Sequence, residues 1–164
     1  MEVQRLNYAQ ASPQSYKTML DFSNYTKTSG LEGPLKELVK IRASQINGCA
    51  YCLDMHTKDA RAAGEMETRI FMLDAWRESG LYTAREKAAL AWTEALTLIG
   101  ETHAPEDVYQ EVRKFFTEKE TVDLTHAIVV INSWNRFMMA FRVPAGNYQP
   151  SPDEPLIAAG KVKI

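Results

Sequence analysis

Asn47-Gly48 constrains the fold of this chain more than any other dipeptide in it. It separates two runs that read as helices, and a break this short turns the second back antiparallel on the first. Pro34 is well suited to a first helical position, and Leu35, Leu38, Val39, Ile41 and Arg42 continue an apolar-striped helix toward the break. The second helix is expected to start at the Cys49-Ala50-Tyr51-Cys52 step and to run to about Gly64. Cys49, Cys52 and His56 then stand at i, i+3 and i+7, on one face. Both sulfurs fall in the first turn, where unpaired N–H groups and the helix dipole favour an anion. A thiolate there is expected to have a depressed pKa and to react near neutral pH.

The hairpin also brings in Glu37. It lies ten residues before Asn47, and His56 lies nine after it. At ~1.5 Å per helical residue the two sit at similar height. Carboxylate, imidazole and thiol then form a proton-relay chain. Taken alone, Glu37 reads as a solvated surface carboxylate and His56 as an ordinary helical histidine. A metal reading also exists, since Cys49, Cys52 and His56 supply three zinc-type ligands. A closed structural site wants four, and His103 and His126 are isolated in sequence. A third alternative is cysteines that merely pack. The redox reading is favoured, with no metal and no cofactor beyond the cysteine pair.

Along the rest of the chain the apolar period is helical throughout. Residues 1–11 read as an extended arm, and Ser12-Pro13 opens a helix to about Lys27, with Tyr16, Met19, Leu20 and Ser23 inward. Glu67–Ala75 reads as a short helix with Ile70 and Leu73 inward. Thr83-x-x-Glu86 is a capping-box pattern before a face of Ala88, Ala91, Trp92, Ala95 and Ile99. Pro105 opens a helix on Val108, Val112 and Phe115. Thr117-x-x-Glu120 starts the longest helix, to about Phe141. The prolines after Arg142 predict a non-helical tail over 143–164. No segment alternates as a strand does, so the expected fold is an all-α bundle of about six to seven helices in one domain, 1–164.

Residues 127–141 are apolar nearly all round, which argues burial against several neighbours or a partner chain. Asn132, Asn135 and Arg136 interrupt that run on one face. They read either as a buried polar network that fixes packing or as a polar wall of an active-site cavity. A net charge of −2 gives no electrostatic case for nucleic acid or an anionic membrane. No apolar run reaches spanning length, and the first twenty residues lack a signal-peptide core, so a cytoplasmic location is expected. Two cysteines in CxxC, with no secretory signal, argue for a reducing compartment and for redox or metal use over a structural staple.

Glu37, Cys49-x-x-Cys52 and His56 together resemble the signature of the alkyl hydroperoxidase D / carboxymuconolactone decarboxylase-like family. The run SQINGCAYCLDMHTKDARAAGE is similar to the peroxidase-type branch. A looser likeness continues through Trp76-Arg77-Glu78, Thr93-Glu94-Ala95 and Ile131-Asn132-Ser133-Trp134-Asn135-Arg136, so it covers most of residues 5–145. Tyr51 departs from the pattern, standing where the best-known members carry a second histidine between the cysteines. The resemblance implies a thiol-dependent hydroperoxidase or disulfide reductase. Cys52 would attack the peroxide, Cys49 would resolve it to a disulfide, and an external dithiol or protein reductant would reopen that bond. It also implies a homo-oligomer, a hexamer or trimer, with the site near subunit contacts. Lactone decarboxylation, the other activity that names the family, does not need a CxxC. A redox-sensing protein using the same switch is the non-enzymatic alternative.

Overall fold

The computed structural model describes residues 3–150, and among these there are nine α-helices, one 3-10 turn and no strand. In chain order they are α1 (Tyr8–Ala11), α2 (Pro13–Thr28), α3 (Gly33–Asn47), α4 (Ala50–Ala62) and α5 (Glu67–Phe71). The 3-10 turn Leu73–Ala75 follows, and then α6 (Ala84–Thr97), α7 (Ile99–Thr102), α8 (Glu106–Phe115) and α9 (Glu118–Ala140). The expected all-α class is what forms.

The boundaries follow the local chemistry. Thr83 and Thr117 each complete a reciprocal capping box with Glu86 and Glu120. Pro13 and Pro34 occupy the first turns of α2 and α3. Gly48 ends α3 in the left-handed conformation (φ 69°), where a Cβ is disfavoured. The next N–H, of Cys49, donates to the Ser44 carbonyl at 3.0 Å, closing the helix end as α4 begins.

Helix α3 is the axle of the bundle. Five consecutive residues, Leu35 to Val39, are buried, so the helix is surrounded at that level. Leu35 and Val39 pack with Ala88, Trp92, Val112, Leu124 and Ile128 between α6, α8 and α9. Leu38 and Ile41 pack with Ala60, Ile70, Leu73, Trp76 and Leu90. Ala43 joins Cys49, Cys52, Ile131 and Met138, so the cysteines lie in a third apolar cluster against α9.

Several expectations need correction, among them Leu20, which is exposed on α2 and does not point inward. Residues 1–11 are not wholly extended, because the Asn7 side chain accepts from the Gln10 N–H and caps α1, and the Tyr8 ring seats against Phe137 and Phe141. The helix over 67–75 is broken at Met72 (φ −86°, ψ 1°), where the geometry tightens to 3-10. Ile99 is exposed and outside α6, because the chain turns after Thr97 and the Thr102 hydroxyl donates to the Ala95 carbonyl at 2.6 Å. Single-turn α1, α5 and α7 raise the helix number above six or seven. Residues 143–150 are non-helical as expected, and the remainder of the proposed tail lies outside the described residues.

Candidate active site

Cys49 is the N-cap of α4, with extended backbone, one position earlier than the first-turn placement expected for it. Its sulfur accepts from the Cys52 N–H at 3.4 Å. The two cysteines are disulfide-bonded, with Cα atoms 5.4 Å apart, inside the range such a bond needs. A cap position followed by a first-turn position three residues on gives that separation without distorting the helix. Both cysteines are fully buried.

The hairpin closes as the residue count requires. His56 Nδ1 lies 2.9 Å from Glu37 Oε2, across the α3–α4 contact. Lys40, one turn along α3, donates to the other carboxylate oxygen at 2.7 Å. Glu37 and His56 are 9% and 6% exposed, so the pair works largely out of water. Burial alone would push the Glu37 carboxyl up. The His56 ring and the Lys40 ammonium outweigh burial by charge and hydrogen bonding, and bring it down to about 2.

Asp59, one turn beyond His56, completes the polar end of the site. Glu37, His56 and Asp59 each place one oxygen or nitrogen within 4.8 Å of the others. Such donors are of metal-binding type, but Lys40 already supplies positive charge at Glu37. Burial pushes the Asp59 carboxyl up, and the Glu37 charge adds to this, while a hydrogen bond from Tyr148 and the charges of His56 and Lys40 oppose it. Spacing from His56 could have found Asp59, and spacing from Glu37 could have found Lys40. No sequence signal points to Tyr148.

A cleft of about 250 Å³ opens beside the start of α4, lined by Gly48, Cys49, Ala50, Tyr51, Met138, Met139 and Arg142. Cys49 and Cys52 themselves stay buried behind this wall. The Tyr51 phenol is half-buried, which pushes its pKa up, as do Tyr16, Asp54 and Asp59. A larger groove, about 350 Å³, lies among Thr57, Lys58, Arg61, Ile70, Phe71 and Pro150 and touches none of Glu37, Cys49, Cys52 and His56.

Asn132, Asn135 and Arg136 take part in helix packing. Asn47 Nδ2 donates to Asn132 Oδ1 at 2.9 Å and to Asn135 Oδ1 at 2.8 Å. Asn135 donates to Ser44 and Asn132 to Thr97, while Arg136 donates back to Asn132. The network ties the ends of α3 and α6 to α9, and its α9 residues do not line the Cys49 cleft. The outlying Trp76, Arg77 and Glu94 also meet. Glu94 accepts from Trp76 Nε1 at 2.8 Å, Arg77 at 2.6 Å and Arg42 Nε at 2.8 Å, a clamp between α3, α6 and the 3-10 turn.

The sequence model of the carboxymuconolactone decarboxylase family matches residues 13–95. The chain is 47% identical over 137 residues to the uncharacterized protein YdfG of Bacillus subtilis, covering 84% of this chain and 93% of that one. A crystal structure from Agrobacterium tumefaciens, described as a protein of unknown function and a candidate antioxidant defence protein AhpD, superposes with a TM-score of 0.86 at 44% identity. It covers 89% of this chain and all of that one. A peroxidase-related protein of Ralstonia eutropha, described as an alkylhydroperoxidase AhpD core, shares the fold at a TM-score of 0.73 and 15% identity, over 85% of this chain and 74% of that one. With half its length matched by the family and a relative of similar extent at 47% identity, the chain belongs to the carboxymuconolactone decarboxylase family and has the AhpD-like fold.

Proposed function

We propose that the protein is a thiol-dependent hydroperoxidase. The observation that carries this reading is a buried cysteine pair at the start of α4, one helical turn before the His56 of a carboxylate-imidazole pair held at 2.9 Å. In the reduced form the Cys52 thiolate attacks the terminal oxygen of a hydroperoxide. The O–O bond breaks, Cys52 becomes a sulfenic acid, and the alkoxide leaves as the alcohol with a proton relayed by His56. The Cys49 sulfur then attacks the Cys52 sulfur, expelling water and closing the disulfide. An external dithiol reopens it by two exchanges, through a mixed disulfide, and is itself oxidised. Glu37 orients His56 and stabilises its charged form during the transfer.

The antioxidant description of the Agrobacterium relative supports this reading, as does the CxxC, which lactone decarboxylation does not use. The same reading includes a homo-oligomer, a hexamer or trimer. Val122, Val129 and Met139 on α9 are exposed in the single chain and would be covered by a second copy. The deciding experiment follows peroxide consumption with a dithiol reductant in the wild-type protein and in Cys52→Ser. Loss of turnover in the variant supports the assignment, and equal turnover in both refutes it.

A further inference from the structure

The chain beyond α9 returns across α4 and is fastened there by side chains of one helix face. Asp54 Oδ2 accepts from the Gly146 N–H at 2.8 Å and from the Tyr148 N–H at 3.3 Å. Lys58, paired with Asp54 at 2.7 Å, donates to the Tyr148 carbonyl at 2.8 Å. The Tyr148 hydroxyl then donates to Asp59 Oδ1 at 2.8 Å. Five hydrogen bonds or ion pairs thus set one phenol on one carboxylate, a stronger fastening than the end of a surface segment ordinarily has.

What that carboxylate faces gives the fastening its meaning. Asp59 shares its surroundings with His56 and Tyr51 from α4, Glu37 and Lys40 from α3, and Tyr148 from the strap. Glu37 already has two partners, His56 and Lys40. Asp59 has Tyr148, and no ion pair to a cation is formed by it among the described residues. Two carboxylates therefore each place an oxygen within 4.8 Å of one imidazole nitrogen. A second negative charge favours the charged imidazole, and the hydroxyl bond favours the charged carboxylate. Loss of that bond weakens the second carboxylate while leaving the Glu37–His56 contact in place.

We propose that Asp59 is a second carboxylate of the relay, a positioning residue that acts on the cysteine pair through His56, with Tyr148 as the clamp that holds it in place. The inference rests on the hydroperoxidase reading for its role in turnover, but its effect on the thiols does not depend on the substrate.

The test uses the full-length reduced protein and two readouts, the ultraviolet thiolate titration with iodoacetamide alkylation rates across pH, and the pH profile of dithiol-dependent peroxide turnover. Asp59→Asn keeps size and hydrogen-bonding capacity, and Tyr148→Phe removes one oxygen. Asp59→Asn is expected to move the thiolate titration to higher pH and to slow alkylation at neutral pH about tenfold, the change that one pKa unit of lost charge interaction gives. Tyr148→Phe is expected to move both in the same direction by less, and to have no further effect in the Asp59→Asn background. Unmoved titration and alkylation in Asp59→Asn would overturn the proposal. So would an undiminished Tyr148→Phe effect in that background, which would make Tyr148 a structural fastener only. A shift in thiol titration without peroxide turnover in any form, wild type included, would keep the positioning role and remove the hydroperoxidase reading instead.

Discussion

The Glu37 carboxyl carries a stability that can be read out by acid. Holding it at about 2 instead of its ordinary 4.5 corresponds to roughly 3 kcal/mol. The folded value is depressed, so this contribution is complete above about pH 4.5 and is lost as pH falls toward 2. Glu37→Gln removes the charge but leaves an amide that can still meet His56 or Lys40, which reduces the net loss to about 2 kcal/mol. Urea unfolding followed by circular dichroism, at fixed protein concentration from pH 7 to pH 2, gives both curves. The wild type is expected to be more stable at pH 7, with the gap narrowing steadily below pH 4.5 until the curves meet. Curves that stay parallel over that range would show that the pair's charge contributes nothing to folding, and the argument from burial and partners would fail.

The relay makes a kinetic prediction. His56→Ala is expected to lower peroxide turnover by ~10²–10⁴, Glu37→Gln by less, and the double variant by less than the product of the two factors. Strictly multiplicative losses would mean two independent residues. Asn47→Ala removes the donor shared by Asn132 and Asn135. Asn132 Oδ1 keeps Arg136 as a donor, so one buried oxygen is orphaned and a loss of about 1–3 kcal/mol in urea unfolding is expected. Light scattering at several concentrations is expected to return a multiple of 18.6 kDa, and a concentration-independent mass at that value would rule out the oligomer.

The Glu37–His56 contact and the Cys49–Cys52 pair were legible in the sequence because their geometry is local. Three positions on one helix face and one hairpin fix where Glu37, Cys52 and His56 lie, and neither depends on how the rest of the bundle packs. Lys40 and Asp59 are equally local, one turn from Glu37 and His56, so their spacing marks them once that pair is chosen, although charged side chains at i+3 are common on solvated faces. Tyr148 meets Asp59 across 89 residues of sequence, and only the folded chain brings them together. Asn47 reads as a helix breaker, and its amide bonding to α9 is a tertiary fact. Helices α1 and α7, of four residues each, are too short to show a period.

The burial of α3 on every side has a consequence for how such a scaffold could be re-purposed. The helix that presents Glu37 also feeds all three apolar clusters, so sliding or rotating it to re-aim one carboxylate would disturb every one of them. Chemistry and folding are locked to the same element. The cleft walls Met139 and Arg142, by contrast, are exposed at the end of α9 and just beyond it, and their side chains can be exchanged one at a time. The cleft is therefore the part of the molecule cheapest to reshape, since α3 and the Glu37–His56 pair stay fixed while its rim is rebuilt.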